Sequence, residues 1–490
     1  MSPVDVTEAN VTGSIDLSSS VNETLSAVLE EQRVAYRADP VPDTATRYRD
    51  LTTLHRMISE NVDAIVAAID ADYGGRSRNE TLFTEVITSL DTLLSARRQL
   101  KAWMKTQSRS VDKLLFPGAK NRVIPQPLGV VGLIIPWNFP LNLAFCQLAS
   151  VFAAGNRAMV KMSEHSSRLT ALLVNLTPRY FGRDKLAFFA ETGGVGEMFS
   201  RLPLDLLMFT GSGTTGRKVM ASAAANLTPV ILELGGKAPA VIDPDYPLEK
   251  AVERILYVKQ LNAGQICTNV DYVFVHRSQR DAFVRLATQW AEKHIPDILS
   301  QDYTALIDDR SYERIAATVA DAELHGATVI NCTGQPPEPG PRKYPVTLVL
   351  DTTEAMEIRK RETFGPLLMV LDYESPEEVV DYVNARDRPL ALYPFSNAPK
   401  QQQYYIDRIM SGGVTVNDAL LHVAQHDLPF GGVGASGMGH YHGYDGFLAC
   451  SKLRPVFYQA SFSGMRYLAP PYGRLADKAL GFLLKRKMKR

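Results

Sequence analysis

The sequence is poor in cysteine. Its four cysteines, Cys146, Cys267, Cys332 and Cys450, are widely scattered, and no C-x-x-C pair occurs among them. That spacing argues against a zinc site and against a disulfide framework. So few thiols in so long a chain read as reduced and cytoplasmic. No run of about 18 or more apolar residues occurs, so no membrane-spanning helix is expected. Charge of one sign is also lacking: Lys and Arg total 53, as do Asp and Glu. The balance argues against a nucleic-acid footprint spread over the surface. Nothing at the start looks like a signal peptide. Residues 1–20 are polar and rich in Ser and Thr, with Asp5, Glu8 and Asp16 among them, and a mobile arm is expected over residues 1–22. Repeats and low-complexity tracts are absent.

What is there is ordinary globular material, 45% hydrophobic and 22% charged. Its 490 residues exceed one ordinary domain. The pattern is helical over 44–73. It is strongly so over 80–103, where Phe83, Val86, Ile87, Leu90, Leu93 and Leu94 recur at helical spacing. Apolar runs rich in β-branched residues then alternate with helical stretches. Strands are expected at 130–135, 158–161, 186–190, 206–209 and 230–234, with helices such as 166–180 and 217–225 between them. The alternation restarts with strands at 239–242, 272–275, 347–350, 367–372 and 414–417, and a helix over 248–263. Such alternation predicts an α/β protein with parallel, Rossmann-like sheets and a second α/β domain starting near Leu234. Residues 333–345, T-G-Q-P-P-E-P-G-P-R-K-Y-P, read as a surface loop.

Several short stretches carry chemistry. P-W-N-F-P, 136–140, follows an expected strand, where parallel sheets place ligands. Asn138 offers a rigid amide donor there, as an oxyanion hole needs; a plain proline-bounded turn is the other reading. Lys161 and Glu164 in V-K-M-S-E-H-S suit ribose oxygens, or simply start a helix. F-T-G-S-G-T-T-G-R, 209–217, is strand, glycine turn and helix, a generic phosphate loop. Glu233 in E-L-G-G-K is a carboxylate at a strand end, a candidate general base or a solvent-facing glutamate. Cys267 in G-Q-I-C-T-N is a buried filler or a nucleophile. In E-T-F-G-P, Glu362 can hold ribose hydroxyls and Phe364 can press on a flat heterocycle. A glycine-dense loop, L-P-F-G-G-V-G-A-S-G-M-G-H-Y-H-G, closes the series at 428–443.

Together, in this order and spacing, these motifs resemble the aldehyde dehydrogenase superfamily over residues 30–470. The ending P-F-G-G-V-G-A-S-G-M-G-H-Y-H-G and the short reach from Glu233 to Cys267 are similar to its class 3 branch. H-V-A-Q-H-D-L-P-F-G-G, 422–432, adds similarity to bacterial members acting on coniferyl aldehyde. The resemblance implies oxidation of an aldehyde to its acid, with an aromatic phenylpropenal or a medium- or long-chain aliphatic aldehyde as substrate. It implies Cys267 as nucleophile, Asn138 as oxyanion donor and Glu233 as the base that activates water. It implies NAD, with NADP as the alternative, held by Trp137, Lys161, Glu164, Gly211, Ser212, Gly216, Glu362 and Phe364. Phe139, Tyr257 and His442 are candidates for the substrate mouth, with packing as their other reading.

It further implies a cofactor domain at 23–110 and 128–233, a catalytic domain at 234–413 and a return segment at 414–449 lining the site. A small β arm at 111–127 and 450–470 would pair two copies into a homodimer. Three positions depart from the usual pattern, Met162, Thr363 and Asn269, and bear on substrate preference. A CoA-acylating enzyme would not need Glu233, a cysteine hydrolase would leave Lys161, Glu164 and Glu362 idle, and a non-catalytic protein would have no use for Cys267, Glu233 and Asn138 together. Finally, L-A-D-K-A-L-G-F-L-L-K-R-K-M-K-R, 475–490, within a basic amphipathic tail over 471–490, reads as a helix docked on the protein with a basic tip, or as a weak contact with an anionic membrane surface.

Overall fold

The computed structural model describes residues 17–488, with side chains described from residue 22. Three sheets organise it. The first has six strands in the order Gly437–Met438, Val230–Glu233, Leu206–Thr210, Val130–Ile134, Arg157–Lys161 and Leu186–Phe189. All pairings are parallel except that of the short edge strand Gly437–Met438. From the central strand Val130–Ile134 the chain runs to one side and then returns to the other. The carboxyl ends of Val130–Ile134 and Leu206–Thr210 therefore flank a topological switch point, where such sheets open a crevice for ligands.

The second sheet has seven strands: Thr328–Asn331, Thr347–Leu350, Leu367–Tyr373, Val270–His276, Ala238–Ile242, Ala391–Phe395 and Gly413–Val414. Only Thr328–Asn331 runs antiparallel to its neighbour. Apolar cores cover both sheets, which explains the continuous apolar strands. The third sheet, Gln107–Arg109, Lys120–Pro127 and Ser451–Tyr458, is antiparallel and begins before the arm expected at 111–127.

Four local expectations need correction. Helix Leu17–Ala38 begins inside the span expected to be a mobile arm; residues 1–16 of that span lie outside the described residues. The helix expected over 44–73 is two helices, Thr44–Ser59 and Val62–Tyr73. Asn61 Nδ2 takes the Met57 carbonyl (2.9 Å), a side-chain bond that competes with helix continuation. The strand expected at 414–417 is the short Gly413–Val414, because Asn417 turns left-handed at φ 59°. The helix expected over 80–103 carries a π turn at Leu82–Ile87. Around it, the hydroxyls of Thr81, Thr84, Thr88 and Ser89 donate to the carbonyls four residues back, which loosens the ladder. The turn shifts the apolar stripe. Val86 and Leu93 are buried, while Phe83 and Ile87 are 51% and 48% exposed.

Candidate active site

Two cavities meet at one residue. The first is a cleft of about 1130 Å³ at the switch point, lined by Trp137, Gly211, Ser212, Glu233, Glu362 and Phe364. The second is a tunnel of about 540 Å³, whose walls include Phe139, Leu143, Tyr257, Val423, Phe430 and His442. Cys267 lines both, and no other lining residue does so. Cys146, Cys332 and Cys450 are buried free thiols, whereas Cys267 is only partly buried.

The Cys267 loop is strained and held. Asn262, Ala263 and Gly264 stand consecutively in the left-handed region at φ 52°, 50° and 73°. For the two non-glycine residues this costs on the order of 1–3 kcal/mol each. A Cβ at Gly264 would lie 2.3 Å from the Gly365 carbonyl oxygen, so glycine lets the cysteine loop touch the E-T-F-G-P loop. The Asn262 N–H donates to Glu80 Oε2 (3.1 Å), and its Nδ2 donates to Tyr73 Oη and to the carbonyls of Asn138 and Gln265. Gln265 Nε2 donates to the carbonyls of Asn262 (2.9 Å) and Ala305 (3.1 Å), and its Oε1 accepts the Ile307 N–H (3.0 Å). The sulfur takes its electrostatics from burial, which raises the thiol pKa, and next from Glu233 and Glu362; the backbone N–H groups of Cys267 and Thr268 act the other way.

Asn138 is buried, and its backbone carbonyl accepts from Tyr73 Oη (2.9 Å), Arg76 Nη1 (3.1 Å) and Asn262 Nδ2 (3.2 Å). Its Nδ2 donates to the Gln265 carbonyl (3.3 Å), which leaves the amide a second N–H to donate, and Asn138 lines the cleft. Arg76 forms a fully buried pair with Glu85 (2.9 Å), and Glu85 accepts the Asn142 N–H (2.7 Å). Glu85 sits on the π turn, and the Arg76 guanidinium lies over the rings of Tyr73 and Phe139. Burial raises the Glu85 carboxyl, and the Arg76 charge opposes it.

Glu233 ends its strand opposite Gly437, is 2% exposed, and neither carboxylate oxygen makes a full hydrogen bond. Burial pushes its pKa well above the ordinary carboxylate range; only the backbone N–H of Gly432 tempers it. Glu362 is likewise raised, by burial and then by Asp271. A Cβ on Gly235 would sit 2.1 Å from Glu362 Oε2, so that glycine admits the carboxylate into the cleft. Phe364 packs edge-on to Trp137 at 5.5 Å.

Other expected residues lie elsewhere. Gly216 packs against Leu234 and does not line the cleft. Lys161 is buried against Glu191, and Glu164 stands 60% exposed; neither lines the cleft. Phe139, Tyr257 and His442 line the tunnel. The three departures from the motif pattern do not line it. Met162 is core, Thr363 bonds Asp271 (2.6 Å), and Asn269 holds the Gly264 carbonyl (2.6 Å). Thr363 and Asn269 thus support the loops beside the site, and Met162 fills the core. Tyr73, Arg76, Glu80, Glu85 and Asn262 carry the site's support and were not singled out by sequence. Glu80 and Glu85 gave one signal, a charge inside an apolar helical stretch.

The fold and the site define an enzyme with a thiol between a ligand crevice and an apolar tunnel, facing a buried carboxyl. The chain belongs to the aldehyde dehydrogenase family, aldehyde-oxidising oxidoreductases, whose family model matches residues 11–456. It is 44% identical over 455 residues to a probable coniferyl aldehyde dehydrogenase of Pseudomonas aeruginosa, covering 93% of this chain and 95% of that protein. It is 34% identical to the dimeric NADP-preferring aldehyde dehydrogenase of Rattus norvegicus, covering 88% and 93%. Among solved structures it is similar to Staphylococcus aureus AldH in a substrate-bound state, with TM-score 0.88, 30% identity, and 94% and 99% of the two chains covered.

Proposed function

We propose that the chain oxidises an aromatic, coniferyl-type aldehyde to its carboxylic acid, with NAD as hydride acceptor and NADP as the alternative. The observation that carries this reading is the placement of Cys267 where cleft and tunnel meet. The cleft residues fit a dinucleotide: Gly235 leaves room for Glu362, and Trp137, Ser212 and Phe364 line the same crevice. Glu362 and Phe364 would hold the nicotinamide riboside, and Gly211 and Ser212 the pyrophosphate. When bound, the dinucleotide supplies the hydride acceptor.

The chain's own residues do the rest. The Cys267 thiolate adds to the carbonyl carbon, which places the developing negative charge on oxygen. Asn138 Nδ2 and the Cys267 backbone N–H receive that oxyanion; losing one such donor costs about 10²–10³ in turnover. Glu233 takes a proton from water, and the water oxygen displaces Cys267 sulfur from the acyl carbon to give the acid. Thr88, Thr92 and Asn142 line the tunnel together with aromatic Phe430 and His442, a mixture that favours a ring with polar substituents over an aliphatic chain.

A homodimer is part of the same reading. The edge strand Ser451–Tyr458 exposes Phe457 and Tyr458, and the rat relative is named dimeric. Free thiols throughout the described cysteines fit a cytoplasmic chain, and no helix among the described residues is long and apolar enough to cross a membrane. The terminal helix Arg474–Met488 buries Ala476 but exposes Leu475, Phe482 and Leu484 near Lys485, Arg486 and Lys487. That arrangement supports the weak contact with an anionic membrane surface rather than full docking on the protein.

The test is a panel of aromatic and aliphatic aldehydes assayed with NAD and NADP by absorbance of the reduced cofactor. The coniferyl-type aldehyde should give the highest kcat/KM. Cys267→Ala should lower turnover by about 10³ or more while leaving the melting transition in place. Full activity in that variant removes the nucleophile, and a preference for long aliphatic aldehydes replaces the aromatic reading.

A further inference from the structure

Behind Glu233 the packed face of the first sheet changes character. Strands Leu206–Thr210 and Val230–Glu233 are parallel neighbours, with Met208 in register with Ile231 and Thr210 in register with Glu233. Side chains two apart on a strand share a face. Met208 and Ile231 lie in the apolar core that also holds Tyr441 and Leu148, the latter on helix Pro140–Ala153. Thr210 and Glu233 extend that face by one step. There the helix meets them with an amide instead of hydrocarbon: Gln147 Nε2 donates to Thr210 Oγ1 (3.1 Å).

The cluster lies between the two cavities. Thr210 and Glu233 line the cleft, while Tyr441 lines the tunnel beside Cys267. Backbone bonds in both directions to Phe430 (2.8 and 2.9 Å) fix Tyr441 in place. Burial comes first in raising its phenol, Glu233 and then Cys267 follow, and the Gln147 amide acts the other way. The hydroxyl therefore stands near the carboxyl, the sulfur and the amide together.

Gln147 is 0% and Tyr441 1% exposed. Gln147 Oε1, Tyr441 Oη and both Glu233 oxygens make no full hydrogen bond. Buried polar atoms are normally paired, and leaving one unpaired is costly. Here three oxygens can only accept, and the phenol is the one O–H among them when Glu233 is ionised. One water answers the whole set. Its two O–H groups serve Gln147 Oε1 and one Glu233 oxygen, and its lone pair takes the Tyr441 O–H. A carboxylate tied in this way cannot swivel, and its second oxygen stays directed away from the tie.

We propose that Gln147 and Tyr441 are positioning residues for the hydrolytic step, which hold an internal water against one Glu233 oxygen and so aim the other at the acyl group on Cys267. This rests on the reading of Glu233 as the base given above and adds a site behind the carboxyl.

The test follows decay of the acyl-enzyme by rapid quench in the full chain, with saturating aromatic aldehyde and NAD. The variants are Gln147→Leu, Tyr441→Phe, Glu233→Gln, and Gln147→Leu combined with Glu233→Gln. Gln147→Leu and Tyr441→Phe should each slow the decay by about 10–100-fold through a misdirected carboxylate, while the burst of reduced cofactor stays within about threefold. In the Glu233→Gln background, Gln147→Leu should add less than about twofold, because both act through one carboxyl. Decay unchanged in either single variant, a burst slowed as much as the decay, or full multiplication of effects in the double variant overturns the proposal. Decay unchanged in Glu233→Gln overturns the reading of Glu233 as the base, an outcome distinct from these. If the variants do not fold, a crystal structure of wild type decides: a water within hydrogen-bond distance of Gln147 Oε1 and Tyr441 Oη is expected, and a dry contact there overturns the proposal.

Discussion

Glu233 shows most directly how burial sets chemistry at a single residue. Its carboxyl is enclosed, and its pKa is raised by that enclosure. In the unfolded chain a glutamate ionises near 4.5. A raised folded value means that its contribution to stability is present below that pH and is lost as pH rises toward the folded value. Glu233→Gln should therefore melt higher than wild type at pH 7–8, with the difference shrinking toward pH 4, as calorimetric scans across that range would show. The same variant should keep a single-turnover burst of reduced cofactor while its steady state falls by about 10²–10⁴. A burst slowed as much as the steady state would remove Glu233 from the hydrolytic step. In wild type, hydrolysis should speed up with pH through a limb lying above the ordinary carboxylate range.

At the scale of elements, the π turn and the cysteine loop form one apparatus. Arg76 joins them, reaching Glu85 on the turn and the Asn138 carbonyl that Asn262 also holds. Arg76→Met leaves Glu85 buried without its partner and should lower the unfolding free energy by about 3–5 kcal/mol in urea titration. Gly264→Ala, which meets both the left-handed φ and the Gly365 carbonyl, should disturb the nucleophile loop. Alkylation of Cys267 by iodoacetamide should change rate there, while the other three thiols stay protected. These devices explain what the sequence concealed. The strands around Val130–Ile134 were legible because burial on both faces leaves an unbroken apolar run. Cys267, Glu233, Asn138 and Glu362 were legible because each sits in a short motif at a strand end. The π turn was not, since one extra residue per turn leaves the local composition unchanged. Strand Ala391–Phe395 was hidden by Pro394, which donates no ladder bond yet still accepts the Asn417 N–H (2.8 Å). Arg76, in the connection before the helical stretch, and Glu85, nine residues further on, look like solvated charges until the fold buries them together.

The whole molecule sets two large sheets around the site, with the small antiparallel sheet apart from it. In the first sheet the site residues follow the carboxyl ends of strands; in the second, Cys267 and Glu362 precede the amino ends of Val270–His276 and Leu367–Tyr373. The return segment joins the two by adding Gly437–Met438 beside Glu233. Deleting 474–490 should leave catalysis of a water-soluble aldehyde within about twofold and reduce co-sedimentation with anionic vesicles, since only the exposed helix and its cationic end are lost. Vesicle binding unchanged by the deletion would exclude the tail as the contact. The meeting of cleft and tunnel at Cys267 has a kinetic corollary. On the proposed reading each reactant would reach the sulfur through its own doorway, so neither would need to leave for the other to enter. A plug in the tunnel should compete with aldehyde alone and leave dinucleotide affinity untouched, and spent acid can depart while its redox companion is still seated.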